Sequence, residues 1–279
     1  MPAEIRPDTS PPPPWRDRVL AAHYRRGWRG FLSLQKLLKP RGASPELQVV
    51  TRYGSQFFLV ATDEIDRRVL AEGFYESEVL DAVRPVLGPP AVLWVVGANF
   101  GLHAITAKRM HPATRVVAFE PSPAMGARLL ENCRINALEV ELHAYALGDA
   151  AGCARFYAQN SGNPGMSTLH PEGGVRYNQR FHVGVQVAAD VIERGNAPAP
   201  TALIIDAEGS ELEVLRGFRA HLAAPTLRTV VFEAANDLLT VAPPPELAGL
   251  IRAAGFTVAR LPRAEATGHA LSNFVAIRP

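Results

Sequence analysis

The chain has 279 residues, of which 47% are hydrophobic, 20% charged and 8% aromatic, the profile of a soluble globular protein with one large or two small domains. No stretch reaches the roughly 18 uninterrupted apolar residues of a spanning helix, and the N-terminus carries no charged-then-apolar leader. Stable membrane insertion is therefore not expected, and a cytoplasmic location is. Cys133 and Cys153 are too few for a disulfide scaffold and match no zinc spacing, which excludes metal-thiolate chemistry as the main theme.

The formal net charge of +2 hides an asymmetry. Residues 15–41 hold Arg16, Arg18, Arg25, Arg26, Arg29, Lys36, Lys39 and Arg41 against Asp17 alone, a local balance of +7 that leaves −5 for the rest. Arginine outnumbers lysine 26 to 3, the mark of a GC-rich bacterial coding bias, so an arginine here is weak evidence of phosphate recognition.

In chain order, residues 1–14 end in four prolines and read as a disordered lead-in. From Trp15 the apolar residues Val19, Leu20, Tyr24, Trp28, Phe31, Leu34 and Leu38 recur at helical spacing with arginines opposite, giving a basic amphipathic arm over 15–47. Residues 48–90 read as a hairpin around Gly54 followed by a helix over 76–87. Strands at 92–96, 115–119, 140–145, 202–206, 228–233, 256–260 and 273–277 then alternate with helices at 101–110, 123–136, 210–221 and 245–254. That alternation predicts a parallel, doubly wound α/β sheet over 91–279. Within it, 153–187 reads as an inserted hairpin with a long Gly-rich loop, a length that usually marks function.

Gly97-Ala98-Asn99-Phe100-Gly101 follows the first of these strands and opens a helix, where glycines let the backbone turn sharply near a ligand and free N–H groups face it. Glu120 ends the next strand, where an acid can accept both ribose hydroxyls of an adenosine cofactor. The turn is G-x-N-x-G and lacks the third glycine of dinucleotide enzymes. That points to S-adenosylmethionine, and a nicotinamide-dependent oxidoreductase rests only on the shared architecture.

The fourth strand runs into Asp206-Ala207-Glu208-Gly209 and the fifth ends in Glu233, with Asn236 and Asp237 beyond. Strand ends of an open α/β sheet lie side by side, so Asp206, Glu208 and Glu233 are expected to converge. A carboxylate there can accept a proton from a substrate hydroxyl, or the set can hold Mg²⁺, for which nothing else in the sequence speaks. Glu211 and Glu213 suit the first turn of the following helix. Among rival bases, His103, His170 and His182, His182 is placed to reach the crevice from the inserted hairpin.

The strings VVGANFGLHAITA, AFEPSP, LENCRIN, ALGD and LIIDAEGSELEVLRGF, in this order, resemble the FkbM family of S-adenosylmethionine-dependent methyltransferases over about residues 50–279. The resemblance implies a class I methyltransferase sheet, Rossmann-like and mostly parallel with an antiparallel final strand. It implies that Gly97, Ala98, Asn99 and Gly101 wrap the methionine part of the cofactor and that Glu120 holds the ribose. Pro121 and Ser122 would shape the adenine edge, and Ala146, Leu147 and Gly148 would face the adenine ring. Asp206 and Glu208 would serve the substrate side, Asp206 also touching the cofactor. Tyr75-Glu76 resembles the family's lead-in and would bring Glu76 over the cofactor, while Asn163 and Ser167 resemble its polar substrate loop. One departure is Val95, two residues before the first glycine, where family members usually carry Asp.

The expected activity is methyl transfer to a hydroxyl of a small molecule, a sugar or natural product, with a carboxylate or nitrogen acceptor as alternatives. A methyltransferase-fold binding protein with weak or no turnover is the rival that Val95 suggests. Nucleic acid is not expected as a partner, since no aromatic-basic stripe accompanies the crevice. A homodimer is left open.

Overall fold

The computed structural model describes residues 4–5, 46–159, 164–171, 175–235, 243–262 and 271–279. The basic helix expected from Trp15 to Leu38 falls outside them. The described residues form two compact units, Met1–Tyr75 with Ser161–Pro164 and Glu76–Asn160 with Gly165–Pro279.

In the first unit, strands β1 (Glu4–Ile5), β2 (Glu46–Val50) and β3 (Gln56–Val60) form an antiparallel sheet. Glu4 and Ile5 thus belong to a ladder and not to a structureless lead-in, because their backbone groups pair with Val50 and Val49. The hairpin expected around Gly54 is present, with Gly54 at φ 79° in the turn. Helix α1 (Glu64–Glu72) was not legible in the sequence: its large apolar positions, Ile65, Val69 and Leu70, span barely more than one turn and make too short a stripe. The buried Asp66 carboxylate fixes it to the sheet by accepting the Val60 N–H at 2.7 Å.

The second unit begins with α2 (Ser77–Val83), which passes into a 3₁₀ turn at Arg84–Val86 where Pro85 cannot donate to a continuing helix. Because α2 packs on the central sheet, the unit starts at Glu76 and not at residue 91 as the sequence suggested.

The central sheet has seven strands in the order β12-β13-β11-β10-β4-β5-β6. They are β4 (Val92–Val96), β5 (Arg115–Phe119), β6 (Glu141–His143), β10 (Ala202–Ile205), β11 (Thr229–Ala235), β12 (Thr257–Arg260) and β13 (Leu271–Ile277). All are parallel except β13, which inserts antiparallel between β11 and β12. Helices α3 (Leu102–Met110), α4 (Pro123–Asn136), α5 (Ala188–Glu193), α6 (Glu211–Gly217) and α7 (Pro245–Ala253) follow in sequence. Alternate residues of each strand share a face. On one face Trp94, Phe119, Leu203, Ile205 and Phe232 join Val214 and Leu215 of α6 and Ile251 of α7 in a buried hydrophobic core. Each such side chain contributes about 1.5–3 kcal/mol on burial. The Arg278 guanidinium, just past β13, donates to the carbonyls of Leu222, Leu227 and Ala254 and lies over the Phe256 ring.

Two sequence expectations need correction. The strand expected over 140–145 breaks after His143, where the Tyr145 N–H turns back onto the His143 carbonyl. The chain then enters β7 (Ala146–Gly148), which pairs parallel with β9 (Gln179–Val187) in a second sheet completed by β8 (Gly152–Ala158). The inserted hairpin is therefore anchored to the core by β7. The helix expected over 210–221 stops at Gly217 because Arg219 takes a left-handed backbone, φ 50°, and a 3₁₀ turn follows.

Candidate active site

The carboxyl ends of β4, β5, β10 and β11 lie side by side. At the end of β4, Gly97 has φ +78°, and a Cβ on it would fall 1.8 Å from the Asp206 carbonyl oxygen. Only glycine fits between the ends of β4 and β10. The Gly97 and Ala98 N–H groups both donate to the Phe119 carbonyl, and the Asp206 N–H donates to that of Val96. Asn99 (φ 50°) and Gly101 (φ 92°) complete the turn in the left-handed region, with Gly101 as the N-cap of α3.

Glu120, at the end of β5, is 6% exposed. Its Oε2 accepts the Asn99 N–H at 2.8 Å and its Oε1 the Ser122 N–H at 2.7 Å. Burial outweighs these two hydrogen bonds and pushes its pKa up to about 7. Ser122 is the N-cap of α4, its hydroxyl facing the Met125 N–H, and Pro121 beside it is half-buried. Each Glu120 oxygen retains acceptor capacity beyond its one backbone bond, so the carboxylate fits a ribose diol.

Asp206, Glu208 and Glu233 converge as expected: one carboxylate oxygen from each lies within 4.8 Å of the others, all half-buried. Burial, then the carboxylates of Glu233, Glu76, Glu211 and Glu120, raise the Asp206 pKa well above the ordinary carboxylate range. Glu208 stands at φ 47°. Its carbonyl accepts the Thr168 hydroxyl at 2.7 Å, and that hydroxyl in turn accepts the His170 N–H. Glu211 does more than serve its helix. Its Oε1 takes the N–H groups of Ala207 and Gly209 and staples the loop that carries Glu208. Glu213 faces His170 at 3.8 Å.

Beside this trio opens a cleft of about 310 Å³, bordered by Glu208, Glu233, His170, Tyr177 and Met166 among others. The inserted segment thus supplies part of its wall. Met166 and Tyr177 are lining residues that sequence reasoning did not select, because isolated loop residues carry no spacing signal, whereas His170, named among the rival bases, does line the cleft.

Other expected residues fall elsewhere. His182 is exposed on β9 opposite Arg155, on the other face from the buried Val183 and Val185, and does not join the carboxylates. The strict alternation of a strand turns it outward. The Leu147 side chain packs into the core, which leaves Ala146 and Gly148 on the other side of β7. Ser167 accepts the Gln159 N–H and ties its loop to the end of β8, while Asn163 lies outside the described residues. The His103 ring sits 3.4 Å from the Glu76 carbonyl oxygen. Glu76 itself is buried at φ 54° as the N-cap of α2. Val95 is buried in β4 between Ile204 and Ala118.

Residues 96–257 match the model of the methyltransferase FkbM domain. The chain belongs to the FkbM methyltransferase family. It is 29% identical over 195 residues to the hexuronic acid methyltransferase AglP of Haloferax volcanii, covering 70% of this chain and 77% of that protein. It is also 29% identical over 201 residues to the 31-O-demethyl-FK506 methyltransferase FkbM of Streptomyces tacrolimicus, covering 62% and 75%. Among solved structures, Aeropyrum pernix fibrillarin with bound S-adenosylmethionine aligns over 85% of this chain and 98% of that one, at 12% identity and a TM-score of 0.46. This FkbM-family protein is an S-adenosylmethionine-dependent methyltransferase built on a class I α/β sheet. Among the described residues, no helix is long and apolar enough to cross a membrane.

Proposed function

We propose that this FkbM-family enzyme methylates a hydroxyl of a small molecule, a sugar or a natural product. The observation that carries this reading is the convergence of Asp206, Glu208 and Glu233 at the mouth of a cleft, one strand end away from the Gly97 turn. When bound, S-adenosylmethionine supplies an electrophilic methyl group on a positively charged sulfur. The turn Gly97, Ala98, Asn99 and Gly101 wraps its methionine part, Glu120 accepts the ribose hydroxyls, and Pro121, Ser122, Ala146 and Gly148 border the adenine. Val95 offers no charge to the cofactor's ammonium group. The buried Glu76, close enough to Asp206 to raise its pKa, takes that role in its place.

A crowd of carboxylates keeps a proton that a single one would lose. Positive charge entering the crevice reverses this, since it favours the ionised form. Asp206 then accepts the acceptor's hydroxyl proton, and Glu208 and Glu233 orient the hydroxyl. Most of the acceleration comes from holding the reacting atoms in line, with proton transfer adding less. Arginine-rich coding bias and two free thiols, Cys133 and Cys153, support a bacterial, cytoplasmic setting.

Calorimetry with S-adenosylhomocysteine tests the cofactor half, and mass spectrometry of hydroxylated acceptors incubated with S-adenosylmethionine tests the transfer. Binding together with a methyl ether product is expected. Absence of binding up to millimolar concentration sinks the reading. Binding without transfer to any acceptor would favour the binding-protein alternative.

A further inference from the structure

The loop that carries Glu208 runs against local preference. Glu208 stands at φ 47° and Gly209 at φ 96°, two successive residues in the left-handed region. Glycine enters that region freely, whereas a residue with a side chain stays there only where its surroundings over-determine it. Part of that restraint comes from the loop's own helix, since Glu211 Oε1 accepts the Ala207 and Gly209 N–H groups at 3.0 and 3.2 Å. These two bonds flank Glu208, and its peptide carbonyl is held from another part of the chain.

Thr168 of the inserted segment holds it. This residue is 4% exposed, and its backbone is pinned to β8 by a two-way bridge: its N–H donates to the Tyr157 carbonyl at 3.0 Å and its carbonyl accepts the Tyr157 N–H at 2.9 Å. Its hydroxyl is thus presented from a fixed main chain. Oγ1 lies 2.7 Å from the Glu208 carbonyl oxygen and 2.9 Å from the His170 backbone nitrogen. A peptide N–H can only donate and a carbonyl can only accept, so Oγ1 accepts from His170 and its single proton goes to Glu208. Thr168, His170 and Glu208 all line the same cleft. One hydroxyl therefore joins the cleft wall to the peptide whose carboxylate stands with Asp206 and Glu233.

We propose that Thr168 is a positioning residue for methyl transfer: its hydroxyl holds the Glu208 peptide in the left-handed turn and keeps the acid loop in register with the His170 wall of the cleft. This rests on the reading of the cleft as the acceptor site of a hydroxyl methyltransferase, and it adds a residue that acts through Glu208. The role belongs to the hydroxyl. Serine keeps the same donor and acceptor, while valine keeps the shape and has neither.

The test follows hydrogen exchange by mass spectrometry on the full chain with S-adenosylhomocysteine, whose affinity is measured first by calorimetry. Failure to bind it reports on the methyltransferase reading alone, and exchange is then read on the free chain. In Thr168→Val the peptides that hold His170, Ala207 and Gly209 are expected to exchange at least about tenfold faster, because a carbonyl and an amide lose their partner. Peptides around Gly97 and Glu120, and S-adenosylhomocysteine affinity, should stay within about twofold. Thr168→Ser should exchange like the native chain, and Thr168→Ala replaces the valine variant if that one does not fold. With a hydroxylated acceptor that yields a methyl ether, kcat should fall at least about tenfold in Thr168→Val and recover in Thr168→Ser, the S-adenosylmethionine KM holding throughout. Unchanged exchange over Ala207 and Gly209 overturns the proposal, as does a serine variant as impaired as the valine one. A loosened loop with kcat intact also overturns it, and so does cofactor affinity that falls in step with turnover. The exchange measurement needs no acceptor, so it decides the role of the hydroxyl even where every acceptor fails.

Discussion

The two ends of the row of strand tips are built from different material. Around Gly97 and Glu120 the main chain does the shaping: positive φ at Gly97, Asn99 and Gly101, two N–H groups on the Phe119 carbonyl, and Glu120 bound by backbone N–H groups on either side. Around Asp206, Glu208 and Glu233 side chains hold the shape, with Glu211 stapling the loop and Thr168 clasping the Glu208 carbonyl. A ligand that is always the same can be met by fixed backbone, where a side chain is either admitted or excluded. A ligand that differs from one enzyme to the next is met by side chains that can be exchanged without disturbing the sheet.

Substitutions at the two ends should therefore fail differently. The largest effect is expected from Gly97→Ala, which drives a methyl group onto the Asp206 carbonyl and demands an unfavourable φ. S-adenosylhomocysteine affinity should drop at least about a hundredfold, or the protein should unfold, as read by calorimetry and circular dichroism. Glu120→Ala comes next, with a loss of about tenfold to a hundredfold in the same affinity as a charge-assisted hydrogen bond disappears.

The raised pKa of Glu120, about 7, makes that affinity depend on pH. The ribose hydroxyls donate to the ionised form, so binding should be about tenfold weaker at pH 6 than at pH 8. Stability of the free protein runs the other way. Glu120 holds its proton more tightly folded than unfolded, so its contribution to stability is lost as pH rises from the ordinary value of 4.5 through about 7. Thermal melts and calorimetry over that window should show opposite slopes.

At the other end, Glu211→Gln should raise the acceptor KM by about threefold to tenfold while leaving S-adenosylhomocysteine affinity within about twofold, because its partners are the Ala207 and Gly209 amides. An equal loss for both ligands would erase the distinction between the two ends. Smallest of all, EDTA is expected to change turnover by less than about twofold if Asp206, Glu208 and Glu233 manage protons and hydroxyls. A large loss rescued by Mg²⁺ would turn the trio into a metal site.

The same division governs what the sequence disclosed. Backbone-determined features leave local spacing signals, and both the Gly97 turn and the Glu120 strand end were legible for that reason. The trio was legible because strand ends of a doubly wound sheet must adjoin. Elements fixed by distant partners were not: β7 leaves its neighbour β6 to pair with β9, nearly forty residues on in the chain, and nothing within ALGD announces it. Short helices such as α1 and α5 bury too few residues for a period to stand out. The outward turn of His182 depends on which face of β9 meets the core, and a single-residue shift in register reverses it.

The placement of β13 has a consequence for synthesis. Of the strands in the central sheet, the one made after all the others occupies an interior position, flanked by β11 along its whole length and by β12. Until it emerges, β12 has no place on the sheet, and Val230 and Phe232 lack the cover of Ala276 and Phe274. Arg278, which ties together the carbonyls of Leu222, Leu227 and Ala254, arrives later still. The Glu233 end of the crevice is thus completed only after every other strand of the sheet has been made, and a nascent chain stalled before Leu271 would present an unzipped apolar strand to whatever chaperones or sister chains lie nearby.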